Sequence, residues 1–351
     1  MNENDQAGAR AARPRVQNQT TRGRAVRAPM HTGIFVHGLG AVSPAGWDVA
    51  ALRGALKNNL PIPTQSLARP GWEKPLQVRS VPPPISRPAF FAHQRLRRAN
   101  SLTQFVVASA LEALGDDVAK IQAGELRLGI VVCLMAGCVN YSRRFYEEVL
   151  REPATASPLI FPETVFNAPA SHLAAFLGSS AASYTLVGDN GTFLQGLALA
   201  AQWLGDNKMN ACVVIGAEES DWIVADAMKL FERDEIHGAG AGAVLLKKNR
   251  VGAFAELSAV TDSFSFTQLQ SRADAARKMR AQLQKLAPGE LLCGGELKKF
   301  LGEAFTASAA WECVAACETI RQKQMAAANV GIIGVNQQSI GARFLACAEG
   351  D

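Results

Sequence analysis

The sequence predicts an α/β protein in which buried strands alternate with amphipathic helices. Short apolar runs at residues 126–137 and 210–219 have the length and β-branched content of buried strands. Longer helical patterns, such as residues 95–117 and 192–204, separate these runs. Because the alternation restarts after residue 250, the pattern favours a layered fold with two related halves.

The elements of the first half are separated by glycine and proline. Residues 32–46 form a β-rich run that ends in Gly and Pro, and the proline-rich residues 61–92 are predicted to be an irregular surface excursion. Further helices are predicted at 47–59, 95–117, 140–152, 171–178, 192–204 and 224–233. Further strands are predicted at 126–137, near 185, at 210–219 and after the Gly/Ala-rich turn at 238–243.

The second half repeats the pattern over a shorter length. Strands are predicted at 253–260, 290–295, 330–336 and 342–348, and helices at 267–286 and 302–322. The glycine-rich run at 238–243 enters a strand rather than a helix, which is the wrong context for binding a dinucleotide phosphate. The sequence therefore predicts no cofactor.

Composition excludes several classes of protein. The chain has 351 residues, 48% hydrophobic and 19% charged, which is enough for a sizeable core, and no apolar run is long enough to predict a membrane span. The seven cysteines lie mostly inside apolar runs, which favours free thiols and a cytoplasmic location over disulfides. Cys313 and Cys317 have no His or second Cys pair nearby, so no metal site is predicted.

Residues 1–29 form an arginine-rich tail. Its six arginines, against Glu3 and Asp5, supply +4 of the net charge of +5. The tail lacks the apolar segment of a secretory signal, and we interpret it as a disordered extension rather than a nucleic-acid-binding arm. The predicted organisation is this tail, a first half at 30–250 and a shortened second half at 251–351.

Several stretches, taken in order, resemble the β-ketoacyl-acyl carrier protein synthases of the thiolase superfamily. They are VHGLGAVSPAGWDVAALRGAL, RLRRANSLTQFVVASALEAL, LRLGIVV, FPETVFNAPASHLAAFLG, CVVIGAEES and GAGAGAVLLKK. The resemblance is strongest before residue 250. It implies the five-layer αβαβα fold of that family, with two similar halves.

The resemblance also implies that the catalytic groups of the family are missing. The family carries a cysteine nucleophile at the turn before a buried helix, where the helix N-terminus favours the thiolate. Here that position holds Asn190, and a carboxamide is no nucleophile at neutral pH. The family's lysine and glycine match Lys298 and Gly302, but Glu303 stands where a catalytic histidine belongs.

The other catalytic segments are reduced. All five histidines of this chain precede residue 250, whereas the family's catalytic histidines lie in the second half. Residues 289–295 (GELLCGG) occupy the place of the first histidine loop without a histidine, and the C-terminal glycine-rich loop is reduced to GIIGVNQQ. The ordinary decarboxylative condensation is therefore expected to be lost.

Each substituted position has two interpretations. Asn190 either caps its helix by accepting a backbone N–H or binds and polarises a thioester carbonyl. Glu303 either pairs with Lys298 or Lys299 or caps its own helix. Cys138 and Cys293 are the thiols nearest to predicted loops, but neither has a base beside it, and His172 and His237 are interpreted as structural.

The resemblance suggests three functions. The first is a chain-length-factor-like subunit that does not condense, pairs with an active ketosynthase and shapes the acyl tunnel, with Thr192, Phe193, Gln195 and Phe166 as tunnel or interface candidates. The second is a malonyl-acyl carrier protein decarboxylase acting through Asn190. The third is a stand-alone module, or a homodimer, that binds an acyl chain or carrier protein. Five arginines either meet an acidic carrier protein or belong to solvated helix faces: Arg95, Arg97, Arg98, Arg143 and Arg144.

Overall fold

A computed structural model describes residues 33–97, 99–179, 182–286 and 292–347; the tail at 1–29 and Arg98 lie outside them. The strands are β1 Phe35–Val42, β2 Gln65–Leu67, β3 Leu76–Arg79, β4 Leu128–Leu134, β5 Ser183–Val187, β6 Ala211–Glu218, β7 His237–Gly238, β8 Gly240–Lys247, β9 Ala255–Val260, β10 Phe264–Ser265, β11 Leu292–Cys293, β12 Ala327–Ile333 and β13 Gln338–Ala346. The α-helices are α1 Val49–Asn58, α2 Ser101–Leu114, α3 Asp117–Gln122, α4 Val139–Arg151, α5 Ala168–Leu177, α6 Thr192–Gly205, α7 Trp222–Met228, α8 Arg272–Leu286, α9 Lys298–Leu301 and α10 Phe305–Arg321. Short 3₁₀ segments lie at Ala89–Ala92, Gln94–Leu96, Pro153–Thr155 and Phe161–Glu163.

The strands of the first half form a mixed sheet around β4 and β6, which are fully buried. Its spatial order is β5-β4-β6-β8-β1. β4 is parallel to β5 and β6, whereas β8 is antiparallel to both β6 and β1. Numbered along the chain, these five strands lie in the order 3-2-4-5-1, with the fifth strand antiparallel to the others.

Along the main path of the described strands the second half repeats this order with one strand fewer, while β10 pairs with β13 beside that path. Its spatial order is β11-β12-β13-β9, with β13 antiparallel to both neighbours and β11 parallel to β12. This strand order matches that of the first half if the third strand of the first half, β5, is left out. The two half-sheets meet where β1 pairs with β9 through Phe35↔Glu256 and Val36↔Ala255, so that one path of strands runs through both.

Helices α6 and α10 form a layer between the two half-sheets. α10 packs against β6 and β8 on one side and against β12 and β13 on the other, and α6 contacts both halves as well. Glycine makes the close approach possible: a Cβ on Gly216 would lie 2.3 Å from the carbonyl oxygen of Thr306 in α10. Fourteen of the seventeen residues of α10 are buried, which fits a helix covered on all sides.

The outer faces of the half-sheets carry further helices. α2 and α5 cover the first half-sheet, and α8 covers the second by packing on β12 and β13. The order α2/α5, half-sheet, α6/α10, half-sheet, α8 confirms the expected five-layer αβαβα arrangement. Among the described helices none is long and apolar enough to cross a membrane.

Two local predictions differ from the structure. The helix predicted at 267–286 begins at Arg272, because Thr267 and Gln270 close a turn through paired backbone hydrogen bonds. The excursion at 61–92 is not wholly irregular, since β2 and β3 pair within it and β3 also pairs with β7. Both differences come from pairings that short-range periodicity does not report.

Candidate functional site: an asparagine–glutamate pair at the floor of a cavity

The Asp189-Asn190-Gly191 turn joins β5 to α6 at the position expected from the sequence. Asp189 is fully buried, and its carboxylate accepts hydrogen bonds from Gly191 N at 3.2 Å and Gln337 N at 2.8 Å. Desolvation raises the pKa of Asp189, and these backbone donors oppose the rise. The turn is therefore tied to the loop between β12 and β13.

Asn190 makes its main contact across the molecule. Its Nδ2 donates to Glu303 Oε1 at 2.9 Å, in a pair 113 residues apart in sequence. The same Oε1 accepts from Phe305 N at 2.7 Å, and the Ser308 hydroxyl also hydrogen-bonds to the carboxyl. Burial raises the pKa of Glu303, while Lys298 and the hydrogen bonds oppose the rise. The two positions that the resemblance assigns to a cysteine and a histidine thus hold a hydrogen-bonded amide and carboxyl.

The expected capping role of Asn190 is wrong. Its Oδ1 is shielded from solvent and accepts no hydrogen bond among the described residues, because the amide is turned toward Glu303. The first turn of α6 uses Asp189 instead, whose carboxylate accepts from Gly191 N. Asn190 thus links α6 to the start of α10.

Of the two interpretations of Glu303, the structure supports capping of its own helix and not an ion pair with Lys298 or Lys299. It binds the start of its own helix through Phe305 N, whereas the lysines have other partners. Lys298 pairs with Glu235 at 2.7 Å and Lys299 with Glu296 at 2.6 Å.

Asn190, Glu303 and Lys298 line one cavity of about 590 Å³, a volume typical of small-molecule pockets. It lies between α8, β12 and the first turns of α10. Its remaining lining residues are Arg272, Ala273, Ala276, Arg280, Gly294, Gly295, Ser308, Ala309, Glu312, Gly331, Ile332 and Ile333.

Ion pairs and a buried carboxyl hold the walls of this cavity. Arg272 pairs with Glu232 at 2.6 Å, so that the loop after α7 is fastened to α8. Glu312 Oε1 accepts from Leu297 N at 3.0 Å and thereby fixes the segment after β11. Burial raises the pKa of Glu312 to about 7, against the backbone hydrogen bonds that lower it.

The other candidate residues lie away from this cavity. Thr192 and Phe193 are buried in α6, and Gln195 donates to Gln338 Oε1 at 3.0 Å. Phe166 is 39% exposed and packs against Gly137. None of the four lines the cavity. Their assignment to a tunnel or interface stays a prediction.

No described thiol has the environment of a nucleophile. Cys138 is buried, and desolvation raises the pKa of its thiol to about 12. The side chain of Cys293 lies outside the described residues. His172 contacts Glu163 at 2.9 Å, and burial lowers the pKa of His237 to about 4. Among the described residues no cluster of His, Cys, Asp and Glu suits a metal ion.

A second, more polar cleft of about 870 Å³ brings three of the predicted arginines together. Arg95 and Arg97 precede α2, and Arg144 projects from α4 into the same cleft. Glu163 is the acidic residue of the lining. Arg143 does not line the cleft and pairs with Asp221 at 2.8 Å, and Arg144 itself pairs with Glu148 at 3.3 Å.

Sequence reasoning missed several residues of the cavity. Arg272, Arg280 and Glu312 lie in helical patterns that carry no motif, so only the packing of α8 and α10 reveals them. Asp189 had a signal, since Asp-Asn-Gly is a strong turn sequence. The sequence carried no signal that residues of the loop after β12 would be its hydrogen-bond partners.

The strand order, the buried helix pair and the position of the cavity define a thiolase-like α/β fold, that of the β-ketoacyl synthases. The ishigamide ketosynthase/chain length factor aligns over 90% of this chain and 100% of its own, at 15% identity and a TM-score of 0.73. The AntDE:AntF complex, a type II polyketide synthase acyl-carrier protein with its ketosynthase, aligns over 90% of this chain and 99% of its own, at 16% identity and 0.72. A β-ketoacyl synthase from Burkholderia phymatum STM815 aligns over 90% of this chain and 99% of its own, at 14% identity and 0.72.

At sequence identities this low, the similarity shows a shared fold and nothing more. No protein-family model and no curated protein matches the sequence.

Proposed function

We propose that the chain is a non-condensing, ketosynthase-like subunit of the chain-length-factor type. It pairs with an active ketosynthase and helps to shape the acyl tunnel, in a polyketide or fatty-acid type of pathway in the cytoplasm. The observation that carries this proposal is the hydrogen bond between Asn190 and Glu303. It joins two side chains without nucleophilic character at the positions where a condensing enzyme needs a thiolate and an imidazole.

An open sheet edge supports a protein partner. β5 is the last strand of its half-sheet, and among the described strands it pairs only with β4. Its Tyr184 and Val187 side chains are 54% and 57% exposed. An apolar strand with unpaired backbone groups is a template for a strand from another chain.

Exposed apolar side chains are also concentrated in the part of the chain that leads from α4 to β5. Half of the large exposed apolar residues of the described chain fall between residues 146 and 187, where they lie on α4, on the segment that packs against α4 and on β5. They are Tyr146, Leu150, Leu159, Phe161, Val165, Phe166, Tyr184 and Val187. We call this set the β5 face. Apolar surface concentrated in this way is typical of a protein interface.

The arginine-lined cleft supports contact with an acidic carrier protein. Arg95, Arg97 and Arg144 face one concave surface, where their positive potentials add. One of the solved structures with this fold contains an acyl-carrier protein bound to its ketosynthase. We propose that this chain, too, contacts an acyl-carrier protein.

The alternative of a decarboxylase acting through Asn190 has less support. That chemistry needs a hydrogen-bond donor free to meet the thioester oxygen. Glu303 takes one of the two N–H donors of the Asn190 amide and fixes its orientation, and the thiols and histidines described here offer no further donor. A carboxyl beside the site would also disfavour a second negative charge.

The test is co-expression with an active ketosynthase encoded beside the gene, followed by purification through a tag on this chain and native mass spectrometry. We expect a one-to-one complex. Tyr184→Asp combined with Val187→Asp should weaken it at least tenfold, because two charges would be desolvated at the apolar edge. Val251→Asp combined with Leu269→Asp is the matched control, since both residues are exposed apolar side chains outside the β5 face.

The outcomes separate the three functions. A complex that depends on the β5 face, and whose product length shifts when Phe193 or Thr192 is enlarged, supports the proposal. A homodimer with no affinity for the ketosynthase contradicts it and favours the binding module. Release of carbon dioxide from a malonyl carrier protein that is lost in Asn190→Ala contradicts it and favours the decarboxylase.

A further inference from the structure

The outward face of α8 is strongly cationic. The helix turns its buried alanine, methionine and leucine side chains toward β12 and β13. Its exposed side carries Arg277, Lys278, Arg280 and Lys285. Asp274 is the only carboxylate among its fifteen residues, and it pairs with Arg277. The helix thus holds five cations against one carboxylate, whereas the whole chain outside residues 1–29 is close to neutral.

Three cations of this face keep their charge uncompensated by an ion pair. Lys278 donates to the neutral amide oxygen of Gln270. Arg280 and Lys285 have no hydrogen bond or ion pair among the described residues. Cations gathered on one exposed face add their potentials and attract an anionic partner.

Exposed apolar side chains lie near the start of α8. Leu269, in the turn before the helix, is 99% exposed, and Leu230, just after α7, is 82% exposed. Arg272 pairs with Glu232 at 2.6 Å and thereby holds the segment after α7 against the first residue of α8. Four large exposed apolar residues belong to this region, and we call them the apolar rim: Trp72, Leu230, Phe231 and Leu269.

Trp72 belongs to the apolar rim through its contact with Arg69. The Arg69 guanidinium lies 3.8 Å from the centre of the Trp72 ring and pairs with Asp226 of α7 at 2.7 Å. Leu230 follows Asp226 by four residues, in the turn that closes α7, so it lies about one helical turn further along. Half of the large exposed apolar residues outside the β5 face therefore fall near α7 and the start of α8.

Charged side chains separate the members of the apolar rim without making it anionic. Ion pairs neutralise Asp226 and Glu232, and the other carboxylates of these loops, Glu73 and Asp234, each adjoin a cation in sequence. The rim is thus nearly neutral and borders a cationic helix face. Apolar tips on separate loops beside clustered cations are typical of surfaces that bind the headgroup region of a bilayer.

We propose that the cationic face of α8 and the apolar rim together bind the surface of an anionic lipid bilayer. The cations meet the headgroups, and Trp72, Leu230 and Leu269 enter the boundary between headgroups and acyl chains. The surface is separate from pairing along β5, because α8 packs on β12 and β13 near one end of the strand path and β5 forms the other end. The proposal therefore does not depend on a ketosynthase partner.

The test is co-sedimentation of the full chain with vesicles of phosphatidylcholine, with and without about one third phosphatidylglycerol. Affinity for the anionic vesicles should be at least about tenfold higher and should fall as the salt concentration rises from ~0.05 to ~0.5 M. Arg280→Glu combined with Lys285→Glu should weaken binding at least about tenfold.

The matched control is Lys57→Glu combined with Lys248→Glu. It changes the net charge equally at exposed positions outside this surface, so it should lower affinity less than about threefold. The arginine-rich tail is the same in both variants, so its own attraction to lipid cancels in the comparison. Pairing with a ketosynthase, measured separately by native mass spectrometry, should be unchanged in both.

Entry of the apolar rim into the bilayer has its own readout. Of the five tryptophans only Trp72 is exposed. Brominated phosphatidylcholine in the anionic vesicles should therefore quench tryptophan emission in the wild-type protein and not in Trp72→Phe. Leu230→Ser combined with Leu269→Ser should weaken binding severalfold, whereas Leu60→Ser combined with Val251→Ser, exposed outside the rim, should not.

A gain of affinity gives a check that loss of folding cannot imitate. Asp274→Asn removes the carboxylate of α8 and frees Arg277, so it should strengthen binding to anionic vesicles severalfold. Equal binding to neutral and anionic vesicles, or equal losses in the α8 variant and its control, would overturn the proposal. So would an acidic acyl-carrier protein that binds this face while anionic vesicles stay unbound, since the surface would then serve a protein.

Discussion

Asn190 and Glu303 form a structural link between two buried helices. Each residue stands at the start of a buried helix, and their hydrogen bond joins α6 to α10. Glu303 has further donors in Phe305 N and Ser308, so the pair belongs to a small network rather than standing alone. Networks of this kind rigidify a core to the extent that their groups are satisfied, and here Asn190 Oδ1 has no partner among the described residues.

A double-mutant cycle tests the link. Asn190→Ala and Glu303→Ala should each lower the free energy of unfolding, and their coupling energy should be about 1–2 kcal/mol, the range for a buried hydrogen bond to an ionisable group. Urea unfolding of the four proteins measures it. A coupling near zero would mean that the two side chains act independently.

Gly334 is a second position where one residue fixes the site. A Cβ there would lie 1.9 Å from Asp189 Oδ2, the oxygen that accepts from Gln337 N. We expect Gly334→Ala to cost about 1–3 kcal/mol of stability, because the turn and the loop would separate. Gly54→Ala in α1 meets no atom within 4 Å and should be neutral or stabilising. Thermal unfolding of both variants gives the comparison.

Glutamates that accept backbone hydrogen bonds fasten elements to each other. Glu112 in α2 accepts from Ala41 N in β1 and Val49 N in α1, both at 2.8 Å. Glu218 at the end of β6 accepts from Met135 N and from Thr306 Oγ1 in α10. Desolvation raises the pKa of Glu112 to about 7 and that of Glu218 to about 8. These carboxyls join layers at the cost of being difficult to ionise.

The pH dependence of stability follows from these groups and Glu312. In the native protein each keeps its proton up to about pH 7 or 8, whereas in the unfolded chain it ionises near pH 4.5. Unfolding then releases protons, so the free energy of unfolding should fall as the pH rises from about 4.5 to 8. Urea unfolding at a series of pH values measures the slope. Glu218→Gln should flatten its upper part, and stability that rises over this window would contradict the assignment.

In the described chain no counterpart of α5 and β5 lies between β11 and α10. Helix α8 should therefore be less protected from amide hydrogen exchange than its counterpart α2. The two helices have 15 and 14 residues, but α8 lacks a helical neighbour in the described chain, whereas α2 packs against α3 and α5. Local opening is easier where fewer apolar contacts are lost. We expect amide hydrogen exchange in α8 to be about tenfold faster or more, measured by mass spectrometry. Equal protection would show that the cavity does not loosen this layer.

More of the architecture than of the candidate site could be predicted from the sequence. The continuous apolar runs of β4 and β6 and the Asp-Asn-Gly turn before α6 are local signals, and the structure bears them out. The bond between Asn190 and Glu303 spans 113 residues, and the cavity is lined by residues of α8, β12 and α10 that lie far apart in the chain. Neither leaves a periodic pattern in the chain. The division into halves at residue 250 and the tail at 1–29 stay predictions.

The two ends of the strand path differ in a way that bears on polymerisation. One end is β5, five residues long and apolar, and the other is β11, which has two residues in the described part of the chain. A second chain added along β5 would use up the longer of these two described edges, and the outer ends of the pair would then be the two β11 strands. Two residues offer too few donors and acceptors for another copy to attach. Edge-to-edge growth would therefore stop at two chains, which protects an apolar sheet of this size from forming fibres.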